Sequence, residues 1–459
     1  MSAPILFYST NRSAEPVVFS QALLKGQAPD KGLYMPEKIP TVDFSELAAF
    51  KDHPYHEIAF RVSRKFLHDQ IDDENLKRIV KEAYNYPVPL EQVYDRKYVL
   101  RLDQGPTASF KDFAARMMSR LMQFYLATEK RSLLILTATS GDTGSAVANA
   151  FYGLDNVKVV ILFPKSEVTD RQRKQMTTLG KNVHVLALDA KFDDCQALVK
   201  QAFSDHELDD LSLSSANSIN IGRLIPQTIY YFYSYIKLCK EVGEEIIFSV
   251  PSGNFGDMMG GVLAMKMGLP VKKFVIATNE NDEFPKFLNS GIYNKIEPSL
   301  NCISSAMNVG HPSNLARLLA LYGGRMDETG TIHQPADMEL MRKEIYSISI
   351  DDGKTRQTIA KAYNQFNLLL EPHGAVGWAG LLQYFREHPE DAARERLAVS
   401  LETAHPAKFP QEIMKILSVD PALPPALEGL EEKQEICQNI SNQYEDFKAY
   451  LNKTFKQKN

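Results

Sequence analysis

Short, unbroken apolar runs separated by helical stretches constrain the fold of this 459-residue chain more than any other feature. From Ser132 onward they recur as Leu133–Thr137, Val157–Phe163, Val183–Leu188, Ile246–Val250 and Phe274–Ala277. Each is short for a helix and rich in the branched residues that suit a pleated surface. None alternates polar with apolar, so both faces of these strands are expected to be covered, as in parallel sheets flanked by helices. The segments between them agree. Ser145–Phe151 is a good helix, another helical stretch ends at Gly180, and a third runs from about Asp257 to Met267. Leu368–Leu370 and Leu397–Leu401 are further candidate strands. Repeated βα units in this number call for open, doubly wound, mostly parallel α/β sheets, and there are enough for two. The chain is also too long for one ordinary core, so two or three packed units are expected.

Outside that region the texture changes. The first stretch, to about residue 90, reads as mixed and mostly helical, with turn signals at Gly32 and Pro36 and no strand–helix alternation. Near the other end Pro421, Pro424 and Pro425 break regular structure. Beyond them Ile436, Ile440, Tyr444, Phe447 and Leu451 recur at helical spacing, which predicts a terminal amphipathic helix packed on its own domain.

Several function classes lose support at once. A net charge of -5 gives no basic excess for nucleic acid. The longest apolar run, Val157–Phe163, is too short to span a bilayer. Met1 to Tyr8 lacks a basic leader region, and Cys195, Cys239, Cys302 and Cys437 lie far apart without zinc spacing, so free thiols in a reducing cytoplasm are expected. There is no GxGxxG, Gly180-Lys181 lacks the rest of a P-loop, and His56-Glu57 lacks a second histidine at zincin spacing.

Two loops share one physical design. Thr139-Ser140-Gly141-Asp142-Thr143-Gly144 and Ser252-Gly253-Asn254-Phe255-Gly256-Asp257 each follow a strand and open a helix. Their glycines let backbone approach a ligand, and the helix N–H groups that face outward suit an anion at the carboxyl edge of an α/β sheet. Either loop alone is equally compatible with a simple tight turn. Lys111 follows the turn Gly105-Pro106-Thr107 and lies between Phe110 and Phe113, with Met117 and Leu121 at helical spacing. A lone lysine beside an aspartate is commonly a solvated surface residue, but one held against apolar groups has a depressed pKa and serves as an imine-forming amine. The run from Ser214 to Arg223 sets Asn217, Ser218 and Arg223 before a helix, as an anion cradle or as a capping loop. Glu371-Pro372-His373-Gly374 and the run from Glu402 to Phe409 are two more polar clusters, the second directly after the Leu397–Leu401 strand.

Together these segments resemble the threonine synthase family in its longer, bacterial and fungal form. The resemblance runs from Gly32-Leu33-Tyr34-Met35-Pro36 to Ala404-His405-Pro406-Ala407-Lys408-Phe409, and includes Thr137 to Gly144, Ala150 to Leu154, Ser215 to Asn220 and Val250 to Asp257. The two glycine loops alone indicate only the broader fold type II group of pyridoxal-phosphate enzymes. The resemblance implies an N-terminal domain (1–90), a smaller α/β domain (91–240), a larger one (241–430) and a C-terminal helix (431–459), with the cofactor between the α/β domains. It implies that Lys111 forms a Schiff base with pyridoxal 5'-phosphate, whose phosphate sits on Gly253, Asn254, Phe255 and Gly256. Asp142 would contact the ring near its phenolic oxygen and Thr403 would face the pyridine nitrogen. A neutral hydroxyl there leaves that nitrogen less firmly protonated. The implied substrate is O-phosphohomoserine, its carboxylate gripped by Thr139, Ser140 and Thr143 and its phosphate by Asn217, Ser218 and Arg223. The implied reaction is a γ-elimination of phosphate followed by addition of water at the β-carbon, giving L-threonine in a cytoplasmic monomer or homodimer.

The sequence departs from the family pattern at Ala108-Ser109, at Asn308 where aspartate is frequent, at Gly310-His311-Pro312-Ser313, and at Gly374 where a bulkier residue is usual. None of these is among the implied phosphate residues. Two alternatives stand beside the main reading: a phospholyase that releases a 2-oxo acid and ammonia from a related phosphorylated amino acid, and a non-catalytic binding protein on the same fold.

Overall fold

A computed structural model describes residues 4–456; Met1, Ser2 and Ala3, part of the segment read above as lacking a leader, lie outside them. Strands β1 (Leu6–Ser9), β2 (Val17–Val18) and β3 (Tyr34–Pro36) form a small antiparallel sheet in the order β2-β1-β3. Strands β4 (Leu90–Tyr94) and β5 (Lys97–Arg101) make a hairpin. Then follow β6 (Leu133–Ala138), β7 (Val157–Pro164), β8 (Val183–Leu188), β9 (Leu213–Ser215), β10 (Ile246–Pro251) and β11 (Val271–Thr278). A short ribbon of β12 (Arg325–Met326) and β13 (Ile332–Gln334) precedes β14 (Ile345–Ser349), β15 (Leu397–Glu402) and β16 (Gln438–Ile440).

The expected pair of mostly parallel sheets is present. One has the order β16-β8-β7-β6-β9 and is parallel throughout. The other has the order β14-β11-β10-β15-β5-β4 and is parallel except at the β4–β5 hairpin. Every residue of β6, β10 and β15 is buried, the outcome that their unbroken apolar runs require.

Four local expectations are corrected. Leu368–Leu370 is not a strand: Leu368 and Leu370 bury their side chains against the Trp378 cluster, but their backbone is the connection into the Pro372–Glu387 helix. The sheet position goes instead to β14, an edge strand whose mixed polar and apolar pattern and partial exposure gave no continuous run to read. The N-terminal stretch, read as mixed and mostly helical, also contributes the short strands β1, β2 and β3. At the other end the helix is Tyr444–Phe455, with Phe447 and Leu451 buried; Ile440 belongs to β16, paired with β8, and Ile436 is exposed. Sheet membership also crosses the expected divisions of the chain, because β4 and β5 join the strands after residue 240 and β16 joins those before it. Among the described residues no helix is long and apolar enough to cross a membrane.

Two packing features place the site. Phe113 stands edge-on to Tyr55 at 5.4 Å and to Tyr230 at 5.5 Å, pinning the start of the Lys111–Glu129 helix to the N-terminal helices and to the Ile221–Leu238 helix. Such edge-to-face pairs contribute about 0.5–1.5 kcal/mol each beyond their burial. The Ile221–Leu238 and Gly256–Lys266 helices also approach closely because the second has no side chain at the crossing. A Cβ at Gly260 would lie 2.8 Å from the backbone of Gln227, and one at Gly261 would lie 2.7 Å from the Phe274 ring. The N-termini of these helices therefore lie side by side, with Gly256 against Ser218. Gly260→Val should overpack this crossing and lower stability by about 1–3 kcal/mol, read as a fall in the urea midpoint. An unchanged midpoint would show that the helices can separate freely.

Candidate active site

Lys111 is the first residue of its helix, and its delivery is rigid. Thr107 donates from its N–H to Asp112 Oδ2 at 2.9 Å and from its hydroxyl to Oδ1 at 2.6 Å. Gly105 leaves the space that this carboxyl fills, since a Cβ there would collide with it. Ala108 has a positive φ of 55°, and small residues suit this turn because Ala108 is wholly buried against Ala407 and Leu427. The turn is tied to the end of β15: Phe110 N–H donates to the Thr403 carbonyl at 2.9 Å, and His405 N–H to the Ala108 carbonyl at 3.0 Å.

The Lys111 ammonium position lies 3.5 Å from Asp142 Oδ2 and over the Phe110 ring at 4.5 Å. Burial lowers its pKa; Asp142 pulls the other way, while Lys408 and Arg223 add to the lowering. Asp142 is buried at the start of the Asp142–Phe151 helix and also accepts from Gln172 Nε2 at 2.9 Å and pairs with Lys408 Nζ at 2.6 Å. Burial would raise its pKa, but the two ammonium groups outweigh it and hold the carboxyl ionised.

The second glycine loop has the form an anion needs. A Cβ at Gly253 would lie 2.9 Å from Met307 Cα, so only glycine fits. Phe255 takes a left-handed conformation (φ 64°), its ring anchored at 4.8 Å from Phe284, and no side chain caps the N-terminus of the Gly256–Lys266 helix. Asn254 is held by Ser313 Oγ at 3.2 Å to its Oδ1 and by Asn314 Nδ2 at 2.9 Å to its carbonyl. Asp257, one step further, accepts from Tyr230 and Tyr231 hydroxyls at 2.6 and 2.8 Å; burial pushes its pKa up to about 6. A reactive amine in a dry pocket together with an uncapped, glycine-lined helix start fits an aldehyde cofactor with a phosphate tail, which is what pyridoxal phosphate is.

Thr139, Ser140 and Thr143 sit at the end of β6. Thr139 turns its hydroxyl inward, accepting from Gly141 N–H at 2.9 Å and Gly144 N–H at 2.8 Å, so it shapes the loop, while Ser140 and Thr143 are half-buried. Asn217 donates to the Ala138 carbonyl at 3.2 Å and leaves its buried Oδ1 without a partner. Arg223 is buried, donates to the Ala216 carbonyl at 2.8 Å and has an unpartnered Nε. Among the described residues no carboxylate pairs with this guanidinium, and burial draws its pKa down to about 10. Thr403, buried after β15, donates to Glu371 Oε1 at 3.4 Å.

Arg317 drew no notice in the sequence, and Lys408, Glu371 and Glu402 stood there only as members of polar clusters. Arg317 is fully buried and donates to the carbonyls of Ser218, Ile219 and Tyr34 and to Asn314 Oδ1, fixing the Asn217–Ser218 loop. Lys408 is fully buried beneath Asp142. Glu371 accepts from His373 and Gly374 N–H groups and caps the Pro372–Glu387 helix. Glu402 accepts from Glu371 N–H at 2.8 Å; burial, and then the Glu371 charge, raises its pKa well above the usual carboxyl range. Gly374 now has a reason, because a Cβ there would overlap the Glu402 carboxyl. Asn308 likewise uses an amide, accepting from Asn279 and Cys302 and donating to the Cys302 carbonyl, which an aspartate could not do.

Comparison with known proteins agrees with this geometry. Family models described as "Threonine synthase N terminus", "Pyridoxal-phosphate dependent enzyme" and "Threonine synthase, C-terminal" match residues 6–84, 88–399 and 374–451. The threonine synthase of Haemophilus influenzae is 37% identical over 451 residues, covering 97% of this chain and 99% of its own. The crystal structure of pyridoxal-phosphate-bound threonine synthase from Brucella melitensis superposes with a TM-score of 0.90 at 35% identity, over 99% of this chain and 100% of that one. The Escherichia coli enzyme gives 0.87 at 35% identity, over 98% and 100%. With full-length likeness at this level and a site that fits the cofactor, the chain belongs to the threonine synthase family of fold type II pyridoxal-phosphate enzymes.

Proposed function

We propose that this enzyme converts O-phosphohomoserine and water to L-threonine and phosphate, with Lys111 as the residue that carries pyridoxal phosphate and moves the substrate's protons. The observation that carries the substrate assignment is Arg223. A buried guanidinium without a carboxylate is unfavourable unless an anion completes it. Arg223 lies close enough to lower the Lys111 pKa by its charge. Asn217, Ser218 and Arg223 would then hold the substrate phosphate.

Bound pyridoxal phosphate supplies an electron sink for charge developing beside the substrate nitrogen. The protein's own groups do the rest. The N–H groups of Gly253, Asn254, Phe255 and Gly256 would grip the cofactor phosphate, Asp142 its phenolic side and Thr403 its ring nitrogen. The Thr403 hydroxyl contact to Glu371 Oε1 is long, at 3.4 Å, so the hydroxyl would be available to the ring nitrogen. Ser140 and Thr143 bind the substrate carboxylate on a loop that Thr139 shapes. Lys111 Nζ, with its depressed pKa, accepts the α-proton and holds it for return. Arg223 and Asn217 stabilise the phosphate as it leaves the γ-carbon and keep it in place while water adds at the β-carbon.

The direct test is a product assay on O-phosphohomoserine, with threonine and phosphate expected in equal amounts; 2-oxobutanoate without threonine would identify a phospholyase. The purified protein should absorb at roughly 410–420 nm, the range of a lysine imine of this cofactor. Lys111→Ala should lose that band, and a variant that kept it would remove Lys111 from its role. Arg223→Met should lower kcat/KM by about 10- to 100-fold, the loss of a charge-assisted contact. It should also leave thermal stability of the ligand-free protein unchanged or higher, since an unpaired buried cation has been replaced by an apolar chain. A fall in stability with unchanged kcat/KM would make Arg223 structural.

A further inference from the structure

Asp142 faces two ammonium groups, not one. Its Oδ2 is 3.5 Å from Lys111 Nζ and its Oδ1 is 2.6 Å from Lys408 Nζ. Lys408 is fully buried, and it also donates at 2.9 Å to the Thr107 carbonyl, in the turn that delivers Lys111. This is an unusual place for a lysine. A buried ammonium is unfavourable unless paired, and here its only carboxylate among the described residues is one already shared with another lysine.

The arrangement has a chemical consequence. An amine adds to a carbonyl only as the free base, whereas a lone carboxylate beside Lys111 would favour the ammonium form. Lys408 is the nearer of the two cations and makes the shorter contact, so it takes the larger share of the Asp142 charge. It also sets a second positive charge near Lys111. The other charged groups facing Lys111 do not substitute for it. Arg223, from the Ile221–Leu238 helix, acts in the same direction without touching Asp142. Glu371, before the Pro372–Glu387 helix, is committed to His373 and Gly374. Asp257, in the Gly256–Lys266 helix, is held by two tyrosine hydroxyls.

We propose that Lys408 is a positioning residue that neutralises Asp142, so that Lys111 stands as a free amine at neutral pH. The proposal rests on Lys111 being the cofactor-bearing lysine. The step that reports it is the reloading of apoenzyme: Lys111 nitrogen bonds to the aldehyde carbon of pyridoxal phosphate, its protons and the aldehyde oxygen leaving as water.

The test follows the rate of appearance of the imine band across a pH series in apoenzyme given pyridoxal phosphate. In Lys408→Met, Asp142 pairs with Lys111 alone, so the amine pKa rises and the pH midpoint of the rate should move up by about one unit, a tenfold slower reaction at a fixed pH below both midpoints. Lys408→Arg, which keeps the charge, should restore the wild-type midpoint. A folded Lys408→Met protein with the wild-type midpoint would overturn the proposal, as would an equal shift in Lys408→Arg. Should Lys408→Met not fold, Lys408→Gln takes its place: it removes the charge but keeps a donor to Asp142, so its midpoint should also move up, and a wild-type midpoint in Lys408→Gln would overturn the proposal. Lys111→Ala is the separate control: a band in that protein would overturn the assignment of Lys111 itself.

Discussion

The short segment from Thr403 to Lys408 is held from both sheets at once, and the site depends on that double attachment. It leaves the carboxyl end of β15 in the six-stranded sheet, and its backbone exchanges hydrogen bonds with the turn before Lys111. Its last residue reaches Asp142, at the end of the five-stranded sheet's β6, while Arg171 from the Asp170–Thr177 helix of that sheet donates to the Ala407 carbonyl. Gln175 of the same helix donates to the Thr107 carbonyl at 3.0 Å, the acceptor that Lys408 also uses. The Lys111 turn is thus clamped between two layers that have no strand in common. Parallel sheets place their carboxyl ends on one side, but they do not by themselves bring two such edges together. Here buried polar side-chain contacts join the two edges, within a hydrophobic core that spans both sheets.

That polarity carries a free-energy cost which the surrounding core must offset. Arg317 and Arg223 illustrate two ways of meeting it. Both are buried and neither has a carboxylate partner among the described residues, and burial draws their pKa values down to about 9 and about 10. Arg317 is nevertheless satisfied, by three carbonyls and the Asn314 side chain, and its work is to fix the Ser218–Ile219 backbone. Arg223 has one carbonyl and an idle Nε. The difference separates an arginine whose donors are met from one whose Nε is left over, a distinction that burial alone does not make.

Much of this was legible in the sequence where one physical cause acted alone. Strands covered on both faces need unbroken apolar runs, and β6, β7, β8, β10 and β15 were readable for that reason. The edge strand β14 is covered only in part, so Ile345-Tyr346-Ser347-Ile348-Ser349 lacks such a run, whereas Leu368 and Leu370 are apolar because they pack under Trp378, not because they pair. The glycine loops were legible because a turn, a helix start and an anion all ask for the same residues. Arg317 was not, and Lys408 and Glu402 were marked only as part of a polar cluster, because nothing near them in sequence shows a lysine, an arginine or a glutamate to be buried; their partners Asp142, Tyr34 and Glu371 lie far away along the chain. Gly374 stood out as a departure from pattern, and its cause was Glu402.

Glu402 also shows how this edge of the site depends on pH. Glu371 and Glu402 are adjacent buried carboxyls in a dry pocket, where two charges would repel. Glu371 collects N–H donors from His373 and Gly374 and the Thr403 hydroxyl, whereas Glu402 Oε2 is buried without a partner. Glu402 is then the neutral partner, its pKa raised by burial and by Glu371. A carboxyl whose pKa is higher in the folded protein than in the unfolded chain stabilises the fold fully at low pH, and that contribution is lost as pH rises from the ordinary carboxyl range through the raised value. The charges on Asp142 run the opposite way: its lowered pKa adds stability above the ordinary range, lost on acidification. The two ends of the pocket are therefore held in fixed and opposite protonation states, an ionised acid beside two lysines and a neutral acid behind Thr403. Lys111 lies beside the first of these, its pKa lowered by burial against the pull of Asp142.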